Sequence, residues 1–122
     1  AAAERAAAAG VDAIVVSNHG GRVLDGVPAT ADVLGGIADA VGDRVEVLVD
    51  GGVRSGLDVF RALALGARAC LVCRPFVVAA FGGGAEGVGS YLAQLRSELA
   101  DVMEMCGAAT TADVTRDMLW EA

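Results

Sequence analysis

Val11-Asp12-Ala13-Ile14-Val15-Val16 runs without a break into Ser17-Asn18-His19-Gly20-Gly21-Arg22. The first six residues are apolar except for Asp12, which predicts a strand over 11–16 buried on both faces, as in parallel sheets. The next six change character at once. They carry the chain's only histidine and an arginine, set among glycines that let the backbone turn sharply. A titratable base and a fixed cation thus stand at the carboxyl end of a buried strand. In α/β folds that edge is where ligands bind.

The same pattern recurs twice. Residues 45–49 read as a second strand and lead into Asp50-Gly51-Gly52-Val53-Arg54. Residues 69–73 read as a third and lead into Arg74-Pro75-Phe76. Helical spacing fills the gaps. A helix over 1–9 is closed by Gly10, and one over 29–41 has Thr30 as its candidate cap. A third opens at Ser55, where Ser55 and Asp58 resemble a capping box, and ends at Gly66. Beyond the strands, a short helix over 76–81 and a Gly82-Gly83-Gly84 break precede an amphipathic helix over 85–106. Its buried side is read as Val88, Tyr91, Leu92, Leu95, Leu99, Val102 and Met103. Gly107 stops it, and Thr110 or Thr111 caps a last short helix.

Alternating strands and helices predict parallel βαβ units. A closed (β/α)₈ barrel takes about 250 residues, so residues 1–122 are expected to be a single partial domain. Three strands leave an open edge that other chain must cover. The first helix starts without a cap, which reads as the beginning of a piece.

Composition narrows the function. Hydrophobic residues make up 55% and mean hydropathy is +0.56, so the chain can build a core and is not disordered. Net charge is −7, the nine arginines are scattered and aromatic content is 4%, which argues against nucleic acid. There is no lysine, so no lysine catalysis arises here. Cys70 and Cys73 are read as buried, reduced strand cysteines rather than a redox pair, because such dithiols normally open a helix. No metal site is expected. Ala1 to Ala9 lacks a signal-peptide core, and no apolar run reaches the ~20 residues of a membrane helix. A cytoplasmic protein without a membrane segment is the expectation.

The loops suggest chemistry. Asp50 to Arg54 combines glycine-freed amides, a guanidinium and the start of the helix at Ser55, which are the parts of an anion site. Arg74 adds a second cation one loop away. Histidine changes charge near neutral pH and arginine grips a carboxylate bidentately. His19 with Arg22 therefore suits removal of hydrogen from the carbon beside a carboxylate. The plainer alternatives are surface arginines paired with acids and a loop histidine bonded to backbone.

Ser17 to Arg22 with Leu24-Asp25-Gly26 resembles the active-site signature of the FMN-dependent 2-hydroxy-acid oxidases and dehydrogenases. Asp50-Gly51-Gly52-Val53-Arg54-Ser55-Gly56, Ala62 to Ala67 and Arg74-Pro75-Phe76 match its later segments in order. The resemblance covers essentially the whole chain. It implies the C-terminal half of an FMN-binding (β/α)₈ barrel that oxidises a small 2-hydroxy acid, homo-oligomeric (tetramer or octamer) when full length. By the same resemblance His19 is the base and Arg22 holds the substrate carboxylate. Ser17 would contact the flavin, while Asp50, Gly51, Gly52, Val53 and Arg54, with Cys73 and Arg74, would bind FMN. The family usually has glycine where Cys73 stands, and its flavin-side lysine and substrate tyrosines lie on strands absent here. Two other readings stay open: a non-catalytic FMN- or phosphate-binding half barrel, and a flavoenzyme relative acting on a peptide or an isoprenoid.

Overall fold

A computed structural model of the chain describes residues 1–120. Strand β2 (Glu46–Asp50) is central, paired in parallel with β1 (Ala13–Val16) on one side and β3 (Ala69–Leu71) on the other. Helices follow the strands as the alternation predicts: α1 (Ala2–Ala8) before β1, α2 (Thr30–Val41), α3 (Gly56–Ala64) and α4 (Arg74–Cys106). Two short 3₁₀ turns, Thr111–Asp113 and Arg116–Met118, close the described chain.

The register sorts the strand side chains into two faces. Ile14, Val16, Val47, Val49 and Cys70 alternate onto the helix-covered face, where they join Leu34, Val41, Ala62 and Ala67 in one core. Phe60 and Ala64 of α3 form a second core with α4 and the tail, through Leu99, Val102, Met103, Ala108 and Val114. The opposite face is open: Val15 and Leu71 are 46% and 45% exposed. The expectation that strand 11–16 is buried on both faces fails for this chain. Its residues are apolar on both sides, but only one side has a helix layer to meet. The strands are also shorter than the apolar runs, because pairing stops where the partner strand stops.

Two helix ends differ from expectation. Thr30 is not the cap of α2; Ala29 holds that position with no side-chain hydrogen bond, and the Thr30 hydroxyl points elsewhere. The three-glycine break is present but narrows to one non-helical residue, Gly84 (φ 57°, ψ −141°), a kink that separates two helical segments within α4. By length and composition α4 passes as apolar enough to cross a membrane, its best stretch having a mean hydropathy of 1.2. No unbroken apolar run of that length is present; alanine and glycine raise the mean between charges. A backbone break at Gly84 is costly in a bilayer, where no water satisfies the freed groups. Beyond the break, Leu95 is buried and α4 packs along α3.

Other local readings hold. Ser55 and Asp58 form the capping box of α3, Gly107 ends α4 in the left-handed region (φ 77°), and Thr110 caps the next turn through Asp113. Arg116 grips Asp39 of α2 with two hydrogen bonds of 2.9 Å, tying the tail back to the sheet layer.

Candidate active site

The loops after β1, β2 and β3 leave the same end of the sheet and enclose a cleft of about 620 Å³. His19, Arg22, Asp50, Gly51, Gly52, Val53, Arg54, Cys73 and Arg74 all line it. Ser17 is the one expected site residue that does not. The sheet register explains its place: Val16 lies opposite Val49, so Ser17 falls opposite Asp50, and its hydroxyl donates to Asp50 Oδ2 at 2.8 Å. The same hydroxyl accepts from the His19 amide at 3.1 Å. Ser17 therefore joins the two loops rather than facing the cleft.

The loop after β1 makes a left-handed turn. His19, Gly20 and Gly21 have φ of 54°, 65° and 70°. Glycine adopts this region freely, whereas histidine is strained there. His19 is the only non-glycine residue with positive φ among those described. Asn18, which sequence reasoning passed over, holds the turn from both sides: its Oδ1 accepts from the Gly20 amide at 2.9 Å, and its Nδ2 donates to the Pro28 carbonyl at 3.2 Å.

The loop after β2 turns on Gly51 and Gly52 (φ 87° and 81°). One carboxylate oxygen of Asp50 takes the Ser17 hydrogen bond; the other, Oδ1, is buried with no partner. The expected anion site at the start of α3 is already filled by the chain's own acids. Asp58 Oδ2 accepts from the Arg54 and Ser55 amides at 3.1 and 3.0 Å, and Glu98 Oε2 accepts from the Gly56 amide at 2.7 Å. Hydrogen bonds from Gln94 and the Gly56 amide hold the Glu98 carboxyl below its ordinary range. Gly56 is needed for this approach, as a Cβ there would fall 2.2 Å from the Leu99 amide nitrogen. Glu98 lies 42 residues from Gly56, beyond the reach of a local motif.

Anion-binding capacity survives in other groups. The Gly52 and Val53 amides make no hydrogen bond among the described residues, and no described carboxylate pairs with Arg54 or Arg74. Arg74 also opens α4, whose N-terminus has no side-chain cap and whose first residues line the cleft. That end carries partial positive charge from the helix dipole. Tyr91 of α4 steadies the arrangement by donating to the Arg54 carbonyl at 2.8 Å. Arg74 also reaches the His19 turn: a Cβ on Gly20 would lie 3.4 Å from its Nη2.

The cysteines separate. Cys70 is a half-buried strand residue whose thiol is pushed up to about 11 by burial, so it stays protonated and inert. Cys73 is exposed at the start of α4, not a buried strand residue as expected, because β3 ends at Leu71. No group of three or more His, Cys, Asp or Glu among the described residues could hold a metal.

A profile of the FMN-dependent dehydrogenase family matches residues 1–121. An L-lactate oxidase of Roseobacter sp. (strain GAI101) is 53% identical over 110 residues, 90% of this chain and 30% of the relative. A peroxisomal (S)-2-hydroxyacid oxidase of Arabidopsis thaliana is 48% identical over 113 residues, 93% of this chain and 31% of the relative. Among solved structures, mandelate oxidase with benzoyl-formic acid superposes with a TM-score of 0.91 at 48% identity, covering 94% of this chain and 34% of that one. The chain thus spans about a third of the length of the relatives it matches. Fold, motif order and family profile agree: this chain belongs to the FMN-dependent dehydrogenase family.

Proposed function

We propose that the intact protein carrying this segment oxidises a small 2-hydroxy acid to the 2-oxo acid with FMN. The observation that carries the reading is the single cleft shared by His19, Arg22, Arg54 and Arg74 at the carboxyl end of the sheet.

The residues present fit the tail of FMN. Arg54, Arg74 and the Gly52 and Val53 amides would hold the phosphate, with the start of α4 adding its dipole. The buried, unpartnered Asp50 Oδ1 would accept from a ribityl hydroxyl, which removes the cost of an orphaned acceptor. FMN, when bound, supplies the two-electron acceptor.

The remaining work falls to the turn after β1. Arg22 offers two parallel N–H donors to the substrate carboxylate and so fixes which carbon faces the base. His19 takes the substrate's proton; its left-handed backbone and the hydrogen bonds from the His19 and Gly20 amides to Ser17 and Asn18 fix the turn that carries the ring. Groups that this segment lacks, including any lysine, would come from earlier strands of a (β/α)₈ barrel closing over the open sheet face. Three free cysteines support a reducing, cytoplasmic setting, and family resemblance supports a homo-oligomer.

Stopped-flow reduction of bound FMN in the intact protein tests the roles. His19→Gln should leave substrate affinity largely intact while slowing reduction at least ~10²-fold, the lower scale for general base catalysis. Arg22→Met should instead weaken binding of hydroxy acids, and Arg22→Lys should recover only part. A His19→Gln variant reducing FMN at the normal rate would make the turn structural and leave a non-catalytic FMN-binding module.

A further inference from the structure

Thr30 is the only buried polar or charged residue among those described, at 5% exposure. It stands at the first position of α2, where a hydroxyl one residue earlier would serve the usual cap. That cap is absent: Ala29 precedes the helix and offers no side-chain acceptor. The Thr30 hydroxyl crosses instead to the loop after β2, donating to the Asp50 carbonyl at 2.7 Å, with a longer contact of 3.4 Å to the Gly51 carbonyl. The hydroxyl thus serves a contact 20 residues away rather than its own helix end.

The surroundings show what that contact fixes. A Cβ on Gly51 would lie 3.1 Å from Thr30 Oγ1 and 3.5 Å from Asn18 Oδ1, so the Gly51 backbone is seated between these two side chains. Asn18 is the residue that holds the His19 turn through the Gly20 amide. Asp50, whose carbonyl Thr30 engages, presents its unpartnered Oδ1 in the same loop, next to the free Gly52 and Val53 amides.

We propose that Thr30 is a positioning residue that clamps the Asp50–Gly52 turn to the start of α2, in register with the Asn18-held His19 turn. It is not among the residues that line the cleft. It sets where the Asp50 carboxylate and the Gly52 and Val53 amides point, so the binding loop and the base loop keep one spacing. The consequence for FMN rests on the cofactor reading above; the clamp itself does not.

Two substitutions in the intact protein separate the hydroxyl from the methyl. Thr30→Val keeps the shape and loses the donor, while Thr30→Ser keeps the donor and loses the methyl. Thr30→Val should speed amide hydrogen exchange at residues 49–50, the paired end of β2 whose Asp50 carbonyl loses its donor, about fivefold to tenfold, the scale of one lost hydrogen bond. Titration of the apoprotein with FMN, followed by flavin fluorescence, should show binding weaker by a similar factor. Thr30→Ser should stay within about threefold of wild type in both measurements, its hydroxyl making the same bond. The reverse order, with Val matching wild type and Ser impaired, would overturn the clamp and leave Thr30 as packing. Unchanged exchange in Thr30→Val would overturn it as well. If wild-type protein binds no FMN, the cofactor reading falls, and the exchange measurement still decides the clamp.

Discussion

Two loops leave neighbouring parallel strands at the same end of the sheet, yet they are built in opposite ways. The loop after β2 places its left-handed backbone on Gly51 and Gly52, where it costs no side-chain strain, and it is braced by Thr30, Tyr91 and the Ser55–Asp58 box. The loop after β1 places the same backbone region on His19 as well as on two glycines, and its hydrogen bonds come from the exposed Ser17 and the half-buried Asn18. A non-glycine residue in that region costs of order 1–3 kcal/mol, and such strain persists only where neighbours over-determine it. One loop is arranged to hold a ligand without strain. The other keeps strain on His19, the base of the proposed reaction.

The largest test of this contrast removes the cation of the holding loop and its neighbour at the start of α4. Arg54→Ala and Arg74→Ala in the intact protein should each weaken FMN retention by about 2–3 kcal/mol, the scale of a hydrogen bond to a charged group. Substrate affinity of whatever holoenzyme remains should change far less, because Arg22 lies on the other loop. Riboflavin, which lacks the phosphate, should bind wild type and variants alike. Variants that keep FMN as tightly as wild type would return both arginines to ordinary surface residues.

A finer test asks whether the Asp50 loop is seated or merely turned. Gly51 and Gly52 share a left-handed backbone, but a Cβ meets Thr30 Oγ1 at 3.1 Å at Gly51 and nothing within 4 Å at Gly52. Gly52→Ala should therefore cost about 1 kcal/mol of backbone strain, and Gly51→Ala about 2 kcal/mol through the added contact. Thermal midpoints of the two intact variants compare them directly. Equal losses would mean that Thr30 yields freely and the seat is loose.

The contrast also marks what was legible from residues alone. The strand–helix alternation, the cap of α3, the stop of α4 and the convergence of His19, Arg22, Arg54 and Arg74 follow from patterns confined to a few neighbours: apolar runs, glycines after strands, a serine three residues before an aspartate. What stayed hidden depends on partners distant in sequence. Glu98 fills the start of α3 from 42 residues away, so the amides there that looked free for an anion are taken. The Thr30 hydroxyl suits a cap by local rules, and only the fold shows that it reaches Asp50. Ser17 also bonds Asp50 across the strand pairing, a contact that only the register reveals. Burial on both strand faces was read from composition, which records that a residue is apolar and not which segment covers it. Val15 and Leu71 show the difference.

The smallest expected effect concerns how the holding loop is anchored to α3, and pH reads it. Burial pushes the Asp58 carboxyl up, but hydrogen bonds from the Ser55 hydroxyl and the Arg54 and Ser55 amides outweigh it, with Arg61 nearby adding to them. The net direction is down from the ordinary value of 3.8. A carboxyl lowered on folding adds stability that is fully present above its unfolded value and is lost as pH falls through the folded one. Asp58 therefore contributes at neutral pH, and that contribution fades only below about pH 4. Asp58→Asn should lower stability at pH 7, yet lose less than wild type between pH 5 and pH 3, so the two curves converge in acid. Ser55→Ala, which removes one partner of the box, should cost about 1 kcal/mol at pH 7. Its acid slope should fall between those of the other two proteins, because the amide donors to Asp58 remain. Denaturation midpoints across pH 3–7 measure all three. Parallel curves for wild type and Asp58→Asn would show that the box anchors the loop by shape alone, with no help from the charge.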